Sequence, residues 1–395
     1  MARSLLVIGA GRLQVPAFTT AKRLGLRVVG VDRDPTAPGL AFAHSVHVVD
    51  TNDIPGVVDV ARKERVDGVV TLCTDYPVRA VAAASQALGL SAISPEAAAS
   101  ATHKGLMRQA FEFAGAPIPR YRRVRSLPAA RNAERELGLP VIVKPPASSG
   151  SRGVFKVTAS DQMDDAFRHA RSIAGEDEVL VEEFIDGPEV SVETLSFRGD
   201  HRIVTITDKR TSGDPHWVET GHVEPSRLPS SAQEAIRQAT LAGLRALNVD
   251  NAAGHVEIKV GTDGPKIMEI GARLGGDFIT TELVPRSTGV DMVEAIIRIA
   301  LGERPNYLPK RSTGAAIRYL TAPKGVVTRI AGVEEAQALP GIVRLEVDAK
   351  PQSGVADVLS SGDRPGFVIA EGKDAEEAES RALAAAAKIC IHVRQ

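Results

Sequence analysis

Residues His255 to Asp277 read HVEIKVGTDGPKIMEIGARLGGD, and the spacing inside this stretch decides how the chain is organised. Two short strands, His255 to Val260 and Pro265 to Gly271, are joined by a turn in which Asp263-Gly264 supplies the positive-φ position. With Thr262, Asp263 and Gly264 as a three-residue loop, Gly261 faces Pro265 and Glu257 faces Glu269. Opposed residues on one sheet face have Cβ atoms ~5 Å apart, where like charges are destabilising unless something positive lies between them. The same register puts Val256, Ile258, Met268 and Ile270 on the opposite face. One side of the hairpin is therefore apolar core and the other a carboxylate pair. That pair suits magnesium, which takes oxygen ligands, keeps several waters and is held by one or two carboxylates plus substrate phosphates. Directly behind it come Arg273, Gly275, Gly276 and Asp277, a cation and a glycine-rich turn where a ligand can approach the backbone closely.

The rest of the composition is that of an ordinary globular protein. The chain has 395 residues, 43% hydrophobic and 25% charged, enough for two or three domains with a sizeable core. A formal net charge of -1 favours neither nucleic acid nor an anionic membrane as partner, so basic residues act locally. The two cysteines, Cys73 and Cys390, read as small buried hydrophobes in a reducing compartment rather than a disulfide or a metal site. The N-terminus MARSLLVIGAG runs straight into a strand, and no apolar run reaches membrane-spanning length. Cytoplasmic residence is the expectation.

In chain order, Ser4 to Ile8, a helix to Leu24 and a strand Arg27 to Val31 form a β-α-β unit. Gly9 and Gly11, with Asp32 about twenty residues on, imitate a dinucleotide fingerprint, but Gln14 stands at the third glycine position. Further strands at 47–49 and 68–72 and helices at 55–65 and 77–88 extend this into a small parallel α/β domain, with Thr74-Asp75 facing a cleft. A helix from Ser100 to Ala114, carrying Lys104 near its start, stops at Gly115 and marks a boundary. A second unit follows: helix 126–138, strand Pro140 to Lys144, the loop Ser148-Ser149-Gly150-Ser151-Arg152-Gly153, strand Val154 to Val157, helix 160–174 and strand Glu178 to Phe184. Backbone N–H groups and hydroxyls of that loop suit phosphate oxygens, and Lys144 in VIVKP adds a fixed ammonium. Glu182-Glu183-Phe184-Ile185 leads through Asp186-Gly187-Pro188 to Glu189, a connector able to offer backbone groups to an adenine edge and a carboxylate to ribose. Past helix 290–301 and the segment RPNYLPKRS, a final unit from Gly314 to Gln395 contains strands, a helix and no evident chemistry.

The ordered set of Lys104, VIVKP with its Ser/Gly loop, VEEFIDGPE, and HVEIK and MEIGAR with their glutamates twelve residues apart resembles the ATP-grasp superfamily of carboxylate-amine ligases. The resemblance implies a mixed α/β and α+β chain with the ATP-grasp fold: a Rossmann-like domain over 1–117, a lid subdomain over 118–185, a metal-binding catalytic subdomain over 186–310 and a mixed-sheet C-terminal extension over 311–395. It implies that Lys104 and Lys144 meet ATP phosphates and that the loop with Ser149, Gly150 and Ser151 closes as a lid. Glu182, Glu183, Phe184 and Ile185 would hold adenine, Glu189 ribose, and Glu257 and Glu269 magnesium, with manganese as its substitute. Many members carry E-x-N-x-R at the second metal strand, whereas Gly271 stands in place of the Asn here. Within the superfamily the chain looks most like the bacilysin-type L-amino-acid ligases, through Glu219-Thr220-Gly221-His222 followed by Pro225 and through Ala272 to Gly276. That likeness sets Glu219 and His222 at the metal and acceptor site, Arg273 on the reacting carboxyl, and Gly275 and Gly276 against substrate. The expected reaction turns a carboxylate into an acylphosphate with ATP, and an amine then displaces phosphate. Small-molecule carboxylates and amines are the expected partners, with a homodimer as the family-level expectation. The rival readings are activation of bicarbonate or formate on the same scaffold, a non-catalytic nucleotide-binding module, and an NAD-dependent oxidoreductase built on Gly9 and Gly11.

Overall fold

Short buried runs separated by amphipathic helices favour parallel pairing, and the first four strands pair in that way. In the computed structural model, which describes residues 2–147, 153–214 and 217–394, they form a parallel sheet in the order Ser45–Val48, Arg27–Asp32, Ser4–Ile8, Gly68–Val70. The helices around it start on local signals. Asp53 accepts from the Gly56 N–H at 3.1 Å and Ser94 from that of Ala97 at 3.2 Å, each with proline in the first helical turn. The helix expected over 100–114 is two helices, Pro95–Ala101 and Lys104–Phe113. His103 breaks it, because its Nδ1 accepts from the Leu106 N–H at 3.2 Å and so caps a new N-terminus just ahead of Lys104.

A second, antiparallel sheet holds Tyr121–Val124, Val179–Glu183, Val141–Lys144 and Phe155–Val157 in that order. The first of these strands is absent from the sequence reading. The main sheet is antiparallel and eight-stranded: Gly264–Gly271, Ala252–Gly261, Glu189–Phe197, Asp200–Thr211, Glu219–Glu224, Gly314–Tyr319, Gly366–Gly372, Ile342–Val347. It runs without interruption across residue 310, so the final unit shares hydrogen bonds with the strand carrying Glu219 and His222. A small sheet of Gly354–Val355, Gly325–Ala331 and Cys390–Arg394 completes the chain. Cys390, expected to be buried, is exposed at the start of that last strand, while Cys73 is half-buried. No helix among the described residues is long and apolar enough to cross a membrane.

The hairpin of the opening stretch reaches the expected pairing by another route. Gly261 pairs with Gly264 across a two-residue turn, Thr262-Asp263, and Ile258 pairs with Ile267. A bulge between Glu257 and Ile258 then absorbs Met268, so that Glu257 faces Glu269 after all. Ile267 rather than Met268 takes the core position beside Val256, Ile258 and Ile270, all fully buried. The turn Asp186-Gly187-Pro188 lies directly on this hairpin. Gly187 has φ of +141°, and a Cβ there would sit 2.1 Å from the Val260 carbonyl oxygen. Gly187→Ala is therefore expected to destabilise the protein by roughly 2–4 kcal/mol through backbone displacement, read as a lower urea midpoint at unchanged slope.

Candidate active site

Two glutamates forced side by side need cations, and three different elements supply them. Lys104, at the start of helix Lys104–Phe113, donates to Glu269 Oε1 at 3.0 Å. Lys209, from strand Asp200–Thr211, is buried between three carboxylates: Glu189 at 2.5 Å, Glu257 at 3.5 Å and Glu219 at 3.7 Å. Burial by itself would lower the Lys209 pKa, but Glu189, Glu257 and Glu219 outweigh it and hold the ammonium well above its ordinary range. His255 places Nε2 3.6 Å from Glu257 Oε1 and Nδ1 2.7 Å from Glu193 Oε1. Lys209 first, and His255 after it, hold Glu257 well below the usual carboxylate range against the cost of burial. Sequence reasoning missed Lys209 altogether and left His255, the first residue of the quoted stretch, without a role.

Among the described residues no group of three or more His, Cys, Asp or Glu side chains is arranged to hold a metal by itself. Two opposed carboxylates do fit magnesium, which completes its shell with phosphate oxygens and water. The position of Gly271 explains why a third protein ligand is missing. A Cβ there would lie 2.9 Å from Asp75 Oδ1 and 3.1 Å from the Arg273 guanidinium. That space is filled by a two-pronged ion pair, Arg273 Nε to Asp75 Oδ1 at 3.0 Å and Nη2 to Oδ2 at 3.1 Å. Arg273 thus joins the N-terminal sheet's strand end to the hairpin. Beside it a cleft of about 230 Å³ opens, lined by Asn52, Asp75, Tyr76, Arg79, Lys104 and Glu269.

The nucleotide residues expected from the sequence fall into two sets. Lys144 donates to Glu182 at 2.8 Å, and both are buried. Burial lowers the Lys144 pKa and Glu182 opposes that shift. Glu182 itself ionises at about 2, since Arg108 and Lys144 together overcome its burial. Its carboxylate is therefore spent on these two cations rather than on a base, and Glu183 is likewise bound to Arg120 at 2.6 Å. Of the segment expected at adenine, the Phe184 ring has Lys156 Nζ 4.1 Å and Lys259 Nζ 5.1 Å from its centroid, with Trp217 at 6.0 Å. The Ile185 carbonyl accepts from Lys259 at 3.4 Å. Glu189, expected at ribose, is held by Lys209. Ser149, Gly150 and Ser151 lie outside the described residues.

Around Asp277 the C-terminal unit, read from sequence as carrying no chemistry, supplies the central cation. Arg364 donates to both Asp277 oxygens at 2.8 and 2.7 Å and stacks 3.5 Å over the Tyr319 ring. It also reaches the Glu219 carbonyl at 3.3 Å, while Ser361 Oγ donates to the Glu219 carboxylate at 3.1 Å. The Tyr319 hydroxyl donates to the Asp277 carbonyl at 3.0 Å. His222 is buried, with Nε2 3.3 Å from Asp277 Oδ2 and no partner for Nδ1 among the described residues. Burial would raise the Asp277 pKa, but Arg364 and His222 hold it far below the normal range. Asp277 and Phe278 both adopt positive φ, +53° and +63°, a backbone state that non-glycine residues hold only when their surroundings impose it. Of the two glycines, Gly275 is required by packing, since a Cβ would meet Glu193 and His255 at 2.7 Å. A Cβ at Gly276 would meet no atom of the described residues closer than Cys73 O at 3.8 Å, so the position is not closed by packing.

Three family models match this chain: an ATP-grasp N-terminal domain over residues 18–91, an ATP-grasp domain over 137–282 and L-amino acid ligase C-terminal domain 2 over 318–394. The chain has the ATP-grasp fold and is an ATP-grasp ligase. It is similar to the formate-dependent phosphoribosylglycinamide formyltransferase of Pelobacter propionicus, 28% identical over 98% of this chain and 95% of that one. Among solved structures it is similar to the L-amino acid ligase of Bacillus licheniformis, with a TM-score of 0.86 at 22% identity over 100% and 99% of the two chains. It also resembles the biotin carboxylase domain of Hydrogenobacter thermophilus 2-oxoglutarate carboxylase, determined with MgADP and bicarbonate, with a TM-score of 0.78 at 18% identity over 99% and 91%.

The strand bearing Glu219 and His222 ends in Glu224, a buried carboxyl with no cation beside it among the described residues. Thr207 and Ser287 hydroxyls donate to it at 2.9 and 2.6 Å. Burial raises its pKa to about 8, more than the two hydroxyls lower it. In the unfolded chain the group ionises near 4.5. Its contribution to stability is therefore full below that pH and is lost as pH rises through about 8. Urea unfolding of Glu224→Gln is expected to show an advantage over the parent protein that grows between pH 5 and 8 and is level beyond.

Proposed function

We propose that this protein joins a small carboxylate, an amino acid in the first instance, to an amine through an acylphosphate, releasing ADP and phosphate. The observation that carries the proposal is the opposed pair Glu257 and Glu269, met by Lys209 and Lys104, with Glu269 lining the cleft of Asn52, Tyr76 and Arg79. In this reading Lys104 and Lys144 meet the phosphate charge of ATP, and the Phe184 ring with the backbone around Ile185 receives the base. Magnesium held by Glu257 and Glu269 supplies charge compensation on the transferring phosphoryl group. Arg273, anchored by Asp75, borders the carboxylate that is activated. Asp277, with His222 and Arg364 behind it, orients the acceptor amine so that its lone pair attacks the acyl carbon as phosphate leaves. An amino-acid pair is favoured by the match of residues 318–394 to an L-amino acid ligase domain, because that segment contains Tyr319, Ser361 and Arg364.

A second reading keeps the scaffold and activates formate or bicarbonate, and the full-length likeness to a formate-dependent formyltransferase favours it. Phosphate release over amino-acid pairs, set against formate or bicarbonate with a phosphoribosyl amine, separates the two. Turnover with amino-acid pairs and a dipeptide of the summed mass minus water supports the first, and turnover confined to formate or bicarbonate replaces it with the second. In either case Glu269→Gln is expected to lower ADP formation by roughly a hundredfold or more, the scale of one preorganised electrostatic group, while circular dichroism stays native. Full activity in that variant would remove the metal assignment.

A further inference from the structure

Arg108 is fully buried and is the largest side chain in the protein with no exposure. It lies four residues after Lys104 on helix Lys104–Phe113, so both project from one face. Lys104 touches Glu269, and Arg108 reaches the same strand one turn further along. Its Nη1 donates to the Ile267 carbonyl at 3.3 Å and its Nη2 to the Met268 carbonyl at 2.9 Å. Its Nε and Nη2 also hold Glu182 at 2.8 and 3.0 Å, and Glu182 in turn holds Lys144.

Ile267 and Met268 are the residues of the bulge. Without the extra residue, the register set by the two-residue turn would place Glu257 opposite Met268 and carry Glu269 to the apolar face. The bulge therefore creates the carboxylate pair. A bulge also withdraws backbone groups from the ladder, and on this strand, the outermost of the main sheet, no further strand can receive them. The Ile267 N–H is met by the Pro117 carbonyl at 2.8 Å, and the two carbonyls by Arg108. Only a planar, multi-pronged guanidinium spans a carboxylate and two successive carbonyls at once.

We propose that Arg108 is a positioning residue for the metal site: it pins the bulge that keeps Glu257 opposite Glu269 and, through Glu182, ties that register to the phosphate-binding Lys144. The inference rests on the assignment of Glu257 and Glu269 to the metal. Its test is the affinity of the full-length protein for Mn²⁺ in the presence of ADP, followed by electron paramagnetic resonance, together with urea unfolding. Arg108→Lys keeps the charge beside Glu182 but cannot span both carbonyls. It is expected to weaken Mn²⁺ binding at least tenfold and to raise the free Mg²⁺ needed for half-maximal ADP formation by a similar factor, with kcat at saturating metal changed less. Arg108→Met should go further in the same direction, and if it fails to fold, Arg108→Lys decides. A lower urea midpoint with Mn²⁺ affinity within twofold of the parent would overturn the inference and leave Arg108 a purely structural residue. A parent protein that binds no Mn²⁺ with ADP would overturn the metal assignment and this inference together.

Discussion

The repulsion between Glu257 and Glu269 is the constraint on which the site depends. Two unit charges ~5 Å apart at an effective dielectric of about 20 repel by roughly 3 kcal/mol, which no single strand contact offsets. The protein answers with cations drawn from elsewhere in the chain, Lys104 from the linker helix and Lys209 and His255 from the main sheet. Two of them bring further acids: Glu189 and Glu219 around Lys209, and Glu193 under His255. Removal of His255 leaves the fully buried Glu193 without its cation, and removal of Lys209 takes one cation from Glu189, Glu219 and Glu257 together.

The same logic explains the place of the C-terminal unit. Strand Gly314–Tyr319 pairs directly with Glu219–Glu224, so Tyr319 stands beside His222 with their rings edge to face at 6.2 Å. Arg364 follows from the adjoining turn and holds Asp277 in a positive-φ backbone. Nearby, Arg344 bonds Glu282 and lies 4.8 Å over Phe278, and Arg12 of the N-terminal domain lies 5.6 Å over the same ring. Three parts of the chain thus converge on the turn after Arg273. A strained turn of this kind keeps its shape only while all of them are in place.

Much of this was legible in the sequence, and what was not has a common cause. The twelve-residue spacing of Glu257 and Glu269 holds under either turn geometry, because a three-residue loop and a two-residue turn plus one bulge add the same number of residues. Side-chain facing is less forgiving, so Ile267 and Met268 exchanged places. Apolar periodicity ran through Thr102-His103 and hid a helix boundary that depends on one imidazole acting as a cap. The strands of the N-terminal sheet and of the Glu257–Glu269 hairpin rest on local patterns and were readable, whereas Tyr121–Val124, Asp200–Thr211 and Glu219–Glu224 were not. Arg364, 87 positions from Asp277, was not, since GDRPG reads only as a turn. Lys209 and Arg108 escaped for the same reason: a buried cation is recognised by the acids that tertiary structure brings to it.

Gly271 unites these points. At that position the chain gives up a side-chain ligand, and the space goes to the Asp75–Arg273 ion pair, which closes the N-terminal domain onto the hairpin. The protein then offers a metal two carboxylates, one of which faces Lys209 and the other Lys104. In the proposed reading a cation held by this pair would compete with both ammonium groups, and nucleotide phosphates would draw the lysines away. On the proposed reading metal and nucleotide affinities would be coupled with positive sign, each raising the other by the same factor. A complete protein cage would bind metal without nucleotide. An incomplete one, closed by an interdomain ion pair, would make metal retention depend on the substrate that needs it.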